Sequence, residues 1–143
     1  MEEIRIATIA DRTVINRITE EFSDHEYSHS ASYFEESLLT QKIILATFDK
    51  KIVGYLIFHI IWGNTPYIEL LRVSKKYQRK GIGAELLREL EKKLKADGYK
   101  VLISSSERIN EIGNAFHQKL GFETIGQLDM IYGKEIFYKK KLL

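Results

Sequence analysis

Cysteine is absent from the 143 residues, so the chain has no disulfide framework and no cysteine nucleophile on which a covalent intermediate could form. Serine has no G-x-S-x-G elbow to activate it either. A single proline leaves little material for a flexible tether, and no repeat or low-complexity tract divides the chain. No apolar run approaches the roughly 18 residues of a membrane span. Met1-Glu2-Glu3 is acidic, unlike the start of a secretory leader. These features predict a cytoplasmic protein with no membrane partner. Excess charge is also missing: a net charge of +2 is too small to predict nucleic acid as the main partner. Lys139-Lys140-Lys141 reads as a solvated strand end.

What is present suits one packed domain over residues 1–143, since the length supports one core more comfortably than two and the 44% hydrophobic content is ordinary. The pattern is mixed α/β. Ile4-Arg5-Ile6 reads as a first strand, and Val14, Ile15, Ile18 and Phe22 give one apolar face of a helix that begins near Asp11. A second helical piece is expected from about Ala31 to Leu39, using Tyr33, Phe34 and Leu38. Ile43–Phe48 and Ile52–Ile61 form a β-branched hairpin around Asp49-Lys50-Lys51, and residues 63–66 turn the chain into a strand at Tyr67. Lys100–Ser104, Glu123–Leu128 and Glu135–Lys140 read as strands, with a helix over Asn110–Leu120 between the first two.

The most informative stretch runs from Tyr67 to Leu94. A strand ending at Val73 leads through Ser74–Lys80 to Gly81-Ile82-Gly83, and then to a helix whose apolar face is Ile82, Leu86, Leu87, Leu90 and Leu94. Gly98 should end it. The first N–H groups of a helix lack intrahelical partners and sit at the positive end of the peptide dipoles, so such a turn favours an anion. Lys75, Lys76, Arg79 and Lys80 add long-range attraction for a phosphate-rich ligand. The dinucleotide fingerprint G-x-G-x-x-G fails because Leu86 stands where its third glycine belongs, and no Walker run G-x-x-x-x-G-K-[ST] exists.

What remains is Gln78-x-x-Gly81-x-Gly83-Ala84, followed later by Asn110-Glu111-Ile112-Gly113-Asn114-Ala115-Phe116-His117-Gln118-Lys119-Leu120-Gly121-Phe122. The first resembles the pyrophosphate signature of the GCN5-related N-acetyltransferases, the GNAT superfamily. The second is similar to that family's later signature of an asparagine, a short helix, an aromatic-tyrosine pair and Leu-Gly-Phe. The two stand in the family's order, and the resemblance covers nearly the whole chain. It departs at His117, where many members carry tyrosine.

This resemblance implies a fold: a mostly antiparallel sheet of about seven strands with about four helices on its two faces, in which Ile68–Val73 and Lys100–Ser104 form a splayed parallel pair. It also implies an activity, direct transfer of an acetyl group from acetyl-CoA to a primary amine by an acyltransferase that does not move aminoacyl groups, with no metal. Leu71, Arg72, Val73, Gln78, Arg79, Lys80, Gly81, Ile82, Gly83, Ala84, Asn110 and Phe116 would hold the cosubstrate. Glu69 is the candidate to take the proton from an ammonium whose ordinary pKa is about 10; its other reading is to orient the amine or to pair with a neighbour such as Arg72. His117 is the candidate acid for the leaving thiolate; its other reading is a helical histidine packed against Phe116 and Phe122. His25, Glu26, Tyr27, His29 and Tyr33 would wall the acceptor pocket and select an amino acid, a polyamine, an aminoglycoside-like amine or a peptide N-terminus. The C-terminal strands imply a homodimer as the assembly to test.

Two other readings stand beside this one. The fold could bind coenzyme A as a sensor or interaction module without turnover. His25-Glu26-Tyr27-Ser28-His29 is a literal H-E-x-x-H, which on a helix would bind zinc and use the glutamate as a base for hydrolysis. Ser23, Asp24, Ser28 and Ser30 give it no apolar helical stripe, and no third ligand stands out.

Overall fold

The structure is a computed structural model that describes residues 2–15 and 34–143. Strand β1 (Glu2–Ile6) leads through a short 3-10 turn to α1 (Arg12–Ile15); α2 (Glu35–Leu39), β2 (Ile43–Phe48), β3 (Lys51–Ile61) and β4 (Thr65–Val73) follow. A second 3-10 turn at Lys75–Tyr77 precedes α3 (Ile82–Ala96), β5 (Val101–Glu107), α4 (Glu111–Lys119), β6 (Glu123–Met130) and β7 (Gly133–Lys141). The seven strands form one sheet in the order β1-β2-β3-β4-β5-β7-β6. β4 and β5 pair in parallel with Tyr67 opposite Ile103, while β1–β2, β2–β3, β5–β7 and β6–β7 are antiparallel. This is the mixed sheet with a central parallel pair that the resemblance implied.

Two compact units can be distinguished, Met1–Phe58 with Leu70–Leu90, and His59–Glu69 with Glu91–Leu143. The first has an apolar cluster of Ala7, Ile15, Phe34, Leu38, Ile43, Leu45, Ile52, Tyr55 and Ile57, with Leu70 packed against it. Arg5 closes one side by a bidentate pair to Asp11 at 2.8 Å in both arms, and this guanidinium holds the Asp11 carboxyl below its usual range. Gly54 lies where β3 meets α3: a side chain there would come within 3.2 Å of the Arg72 carbonyl and 3.3 Å of Ile82. Any larger residue would require these neighbours to give by a few tenths of an ångström.

Several boundaries move for physical reasons. Asp49 and Lys50 both take positive φ, 49° and 69°, the pair of left-handed residues that closes a two-residue hairpin with the right twist. Asn-Gly would announce such a turn, and Asp-Lys does not. The next connection is Trp62–Asn64, with Trp62 and Gly63 at φ 56° and 72°, so Pro66 falls inside β4 and not in the turn. Val14 is half exposed where the helical face placed it inward, while Ile15 is fully buried. Ile18, Phe22, Ala31 and Tyr33 lie outside the described residues. β5 runs three residues past Ser104 and brings Ser105, Ser106 and Glu107 into the sheet. α3 ends two residues before Gly98, as its pattern predicts.

Leu86 is fully buried on α3, with Cδ1 against the Gly54 backbone. Truncating it should leave a cavity, so Leu86→Ala is expected to lower unfolding free energy by about 2–5 kcal/mol in urea titrations. A loss of a few tenths would show that α3 does not seal this core.

Candidate functional site

In the first unit the chain leaves β4 through a tightly tied turn. The Ser74 N–H donates to the Val53 carbonyl at 2.9 Å, and the Tyr77 N–H to the Ser74 carbonyl at 2.8 Å. The Gln78 side chain donates from Nε2 to the Val73 carbonyl at 3.0 Å, so the glutamine of the motif fastens the turn back onto the strand end. Arg79 and Gly81 then take left-handed φ values of 61° and 82°. At Gly81 a side chain would meet nothing within 4 Å, so the dihedral alone calls for glycine. The Gly81 carbonyl accepts the Glu85 N–H at 3.0 Å, which leaves the N–H groups of the first turn of α3 without intrahelical acceptors. Lys75, Lys76, Arg79 and Lys80 are exposed around it. Tyr77 anchors the loop, its ring 5.8 Å from that of Phe48 and under the ammonium groups of Lys76 at 5.9 Å and Lys80 at 5.6 Å. Open donors, left-handed backbone and clustered cations make this an anion cradle, and they fit a pyrophosphate.

In the second unit β4 carries two polar side chains on one face, Tyr67 and Glu69. Glu69 Oε2 lies 2.9 Å from Nε2 of His59 on β3, a partner that sequence reasoning did not name. Both side chains are about one-third exposed, at 37% and 34%, so a ligand or water can reach this pair. Tyr67 meets Ser105 Oγ at 2.8 Å, and Ser105 donates to Glu135 Oε2 at 2.7 Å. One hydroxyl has one proton, so Tyr67 must be the donor to Ser105, and the order of donation is Tyr67, Ser105, Glu135. Burial, with the nearby Glu135 and Glu69 charges, pushes the Tyr67 phenol up and keeps it protonated. Ser105, Tyr67, His59 and Glu135 are all absent from the motif-based reading. Their only sequence signal is alternation along β3, β4, β5 and β7.

On α4 the Asn110 side chain accepts the Gly113 N–H at 2.9 Å and caps the helix. Asn114 accepts from Ser106 at 2.5 Å and from Tyr138 at 2.7 Å, tying α4 to β5 and β7. His117 is buried. Its Nδ1 faces the Gly113 carbonyl at 2.7 Å and its Nε2 meets Ser104 Oγ at 2.7 Å. A carbonyl only accepts, so Nδ1 carries the proton, and in the neutral ring Nε2 accepts from Ser104. The ring stacks on Tyr138 at 4.3 Å and 5°, with the edges of Phe122 at 5.1 Å and Phe116 at 5.9 Å. Burial drives its pKa below the ordinary value, partly offset by the Gly113 carbonyl.

His25, Glu26, Tyr27, His29 and Tyr33 lie outside the described residues. Among the described residues no group of three or more His, Asp or Glu side chains is arranged to hold a metal, and no helix is long and apolar enough to cross a membrane.

With this geometry in place, the chain belongs to the acetyltransferase (GNAT) family, whose sequence pattern it matches over residues 11–122. Ard1 from Thermoplasma volcanium has a similar fold, with a TM-score of 0.88 at 16% identity, covering 99% of this chain and 98% of that one. The ribosomal-protein-S18-alanine N-acetyltransferase from Escherichia coli superposes with a TM-score of 0.82 at 19% identity, covering 99% and 94%. The PaiA N-acetyltransferase from Thermoplasma acidophilum, solved in complex with coenzyme A, gives 0.76 at 25% identity, covering 99% of each chain.

A histidine held neutral in the fold but free to protonate when unfolded weakens the native state as pH falls below about 6.5. Stability should therefore decline from pH 7.5 to pH 5. His117→Phe, which keeps the ring stack, should lower stability at pH 7.5 and flatten that decline. An unchanged slope in chemical-denaturation curves would show that His117 is not the titrating group.

Proposed function

We propose that the protein transfers an acetyl group directly from acetyl-CoA to a primary amine of a small molecule or peptide N-terminus. The observation that carries this is that one strand, β4, ends in the anion cradle and bears the Glu69–His59 pair four residues before its end.

In this reading the first-turn N–H groups of α3 from Ile82 to Ala84, with Gly81, Arg79 and Lys80, hold the pyrophosphate. The backbone of Leu71, Arg72 and Val73 meets the amide-rich arm, and Asn110 and Phe116 flank it. The Val73 N–H is offered to the thioester carbonyl as charge develops on its oxygen. Glu69 takes the proton from the ammonium, directly or through water. His59 steadies the carboxylate and passes the proton onward. The amine nitrogen forms the new bond to the acetyl carbon as the carbon–sulfur bond breaks, and the sulfur leaves as thiolate.

A thiolate of ordinary pKa near 8.5 leaves without obligatory help. The two hydrogen bonds and the Tyr138 stack favour a positioning role for His117, which keeps α4 fixed on β5, over delivery of a proton.

Thiol release from acetyl-CoA in the presence of a panel of amines tests the proposal. Glu69→Gln should retain coenzyme A binding and lose about 10²–10⁴ in kcat. His59→Ala should lose less and shift the pH profile of kcat/KM. Wild-type kcat in Glu69→Gln would remove the base, and binding without thiol release for any amine would favour the sensor reading.

A further inference from the structure

The hydroxyl protons on the polar face of the second unit run toward one carboxylate. Glu135 on β7 is 8% exposed and receives two of them, from Ser105 at 2.7 Å and from Tyr132 at the turn before its strand. A carboxylate only accepts, so each hydroxyl commits its single proton to it. Burial, then the Glu135 charge and hydrogen bond, pushes the Tyr132 phenol up to about 12, and that donor stays protonated. Ser105, with its proton committed, accepts from Tyr67 at 2.8 Å. The Tyr67 oxygen is then left with acceptor capacity and no proton to offer.

That oxygen is held from two sides. The Tyr67 ring stacks on Phe137 of β7 with centroids 6.5 Å apart and planes 28° from parallel, and the bond to Ser105 fixes its tip. Residues two apart on a strand share a face, so Glu69 follows Tyr67 on the same side of β4. Burial first, and the Glu135 and Glu69 charges after it, raise the Tyr67 phenol, so it stays neutral and does not act as a base. One face of β4 thus presents two successive acceptors, a phenol oxygen and a carboxylate. An ammonium carries three N–H groups and can meet both, whereas a carboxylate or carbonyl carries none.

We propose that Tyr67 touches the acceptor: its oxygen accepts one N–H of the amine whose proton Glu69 removes, and Ser105 and Glu135 are positioning residues that act through it. This rests on the acetyltransferase reading. Tyr67 neither gains nor loses a proton in the step. Of the three N–H groups of a primary ammonium, one proton passes to Glu69 and a second group stays bonded to the Tyr67 oxygen. The neutral amine has lost its ionic hold on Glu69, and the phenol keeps it in place while its lone pair turns to the acyl carbon.

The test uses the intact chain, acetyl-CoA and three probes: butylamine, diaminobutane and the peptide Ala-Ala-Ala. Tyr67→Phe keeps the ring stack and removes only the hydroxyl. It should lower kcat/KM for the amine about ten- to hundredfold and leave the KM for acetyl-CoA unchanged. Ser105→Ala should lower kcat/KM less, and Ser105→Thr, which restores a hydroxyl, should recover most of the loss. Because Ser105 acts through the phenol, adding Ser105→Ala to Tyr67→Phe should lower it no further. Wild-type kcat/KM in Tyr67→Phe, or losses that multiply in the double variant, would overturn the inference and leave the acetyltransferase reading standing. If Tyr67→Phe does not fold, wild-type kcat/KM in Ser105→Ala overturns it in the same way. If no probe releases thiol from acetyl-CoA, binding decides: with coenzyme A present, the probes should raise the melting temperature of wild type more than that of Tyr67→Phe. That difference without thiol release would support the contact while removing the acetyltransferase reading, and equal shifts, or none, would overturn the contact as well.

Discussion

Two neighbouring parallel strands cannot be joined by a tight hairpin; the chain must return to the starting end of the sheet before the second strand begins. Between β4 and β5 that return is α3, and much of the candidate chemistry follows from it. The helix must start near the carboxyl end of β4, so its open N–H groups face outward from the end of a central strand. The left-handed backbone at Arg79 and Gly81 makes the reversal possible, and Gln78 fastens it to Val73. One connection therefore links the parallel strands and, in the proposed function, supplies the anion cradle.

The same strand order explains where the polar side chains gather. Central strands of a mixed sheet are mostly apolar, yet the face shared by Tyr67, Ser105 and Glu135 carries hydroxyls and a carboxylate joined by hydrogen bonds. Glu69 on β4 meets His59 on β3. The face of α4 that carries His117 is occupied differently. Its imidazole, Ser104, Asn114, Ser106 and Tyr138 satisfy one another or a backbone carbonyl, as a buried polar network must to be stabilising. One network is closed and holds a helix in place. The other runs from Tyr67 through Ser105 to the Glu135 carboxylate.

Much of this was legible in the sequence where the signal is local. The glycine turn, the amphipathic stripe of α3 and the Asn110 to Phe122 signature each lie within one short segment, and they led to the family and to the parallel pair. Turn chemistry was less readable: Asp49, Lys50 and Trp62 adopt positive φ through hairpin closure, a demand of the paired strands more than of those residue types. Contacts between strands were not readable at all. His59 and Glu69 are ten residues apart, and Tyr67, Ser105 and Glu135 come from three strands, so their meeting depends on register that no single stretch encodes. His117 was found by its motif, but which way its nitrogens point is fixed by Ser104 and Gly113.

The central claim is that the turn between β4 and α3 binds the pyrophosphate of acetyl-CoA. Thermal unfolding with and without the nucleotide tests it most directly. At 100 times Kd the native state should gain about 2.7 kcal/mol, a clear upward shift in Tm. Gly83→Glu, which puts bulk and negative charge into the cradle, should remove that shift while the protein remains folded. A folded wild type whose Tm does not respond to acetyl-CoA, or a Gly83→Glu variant that responds fully, would contradict the account.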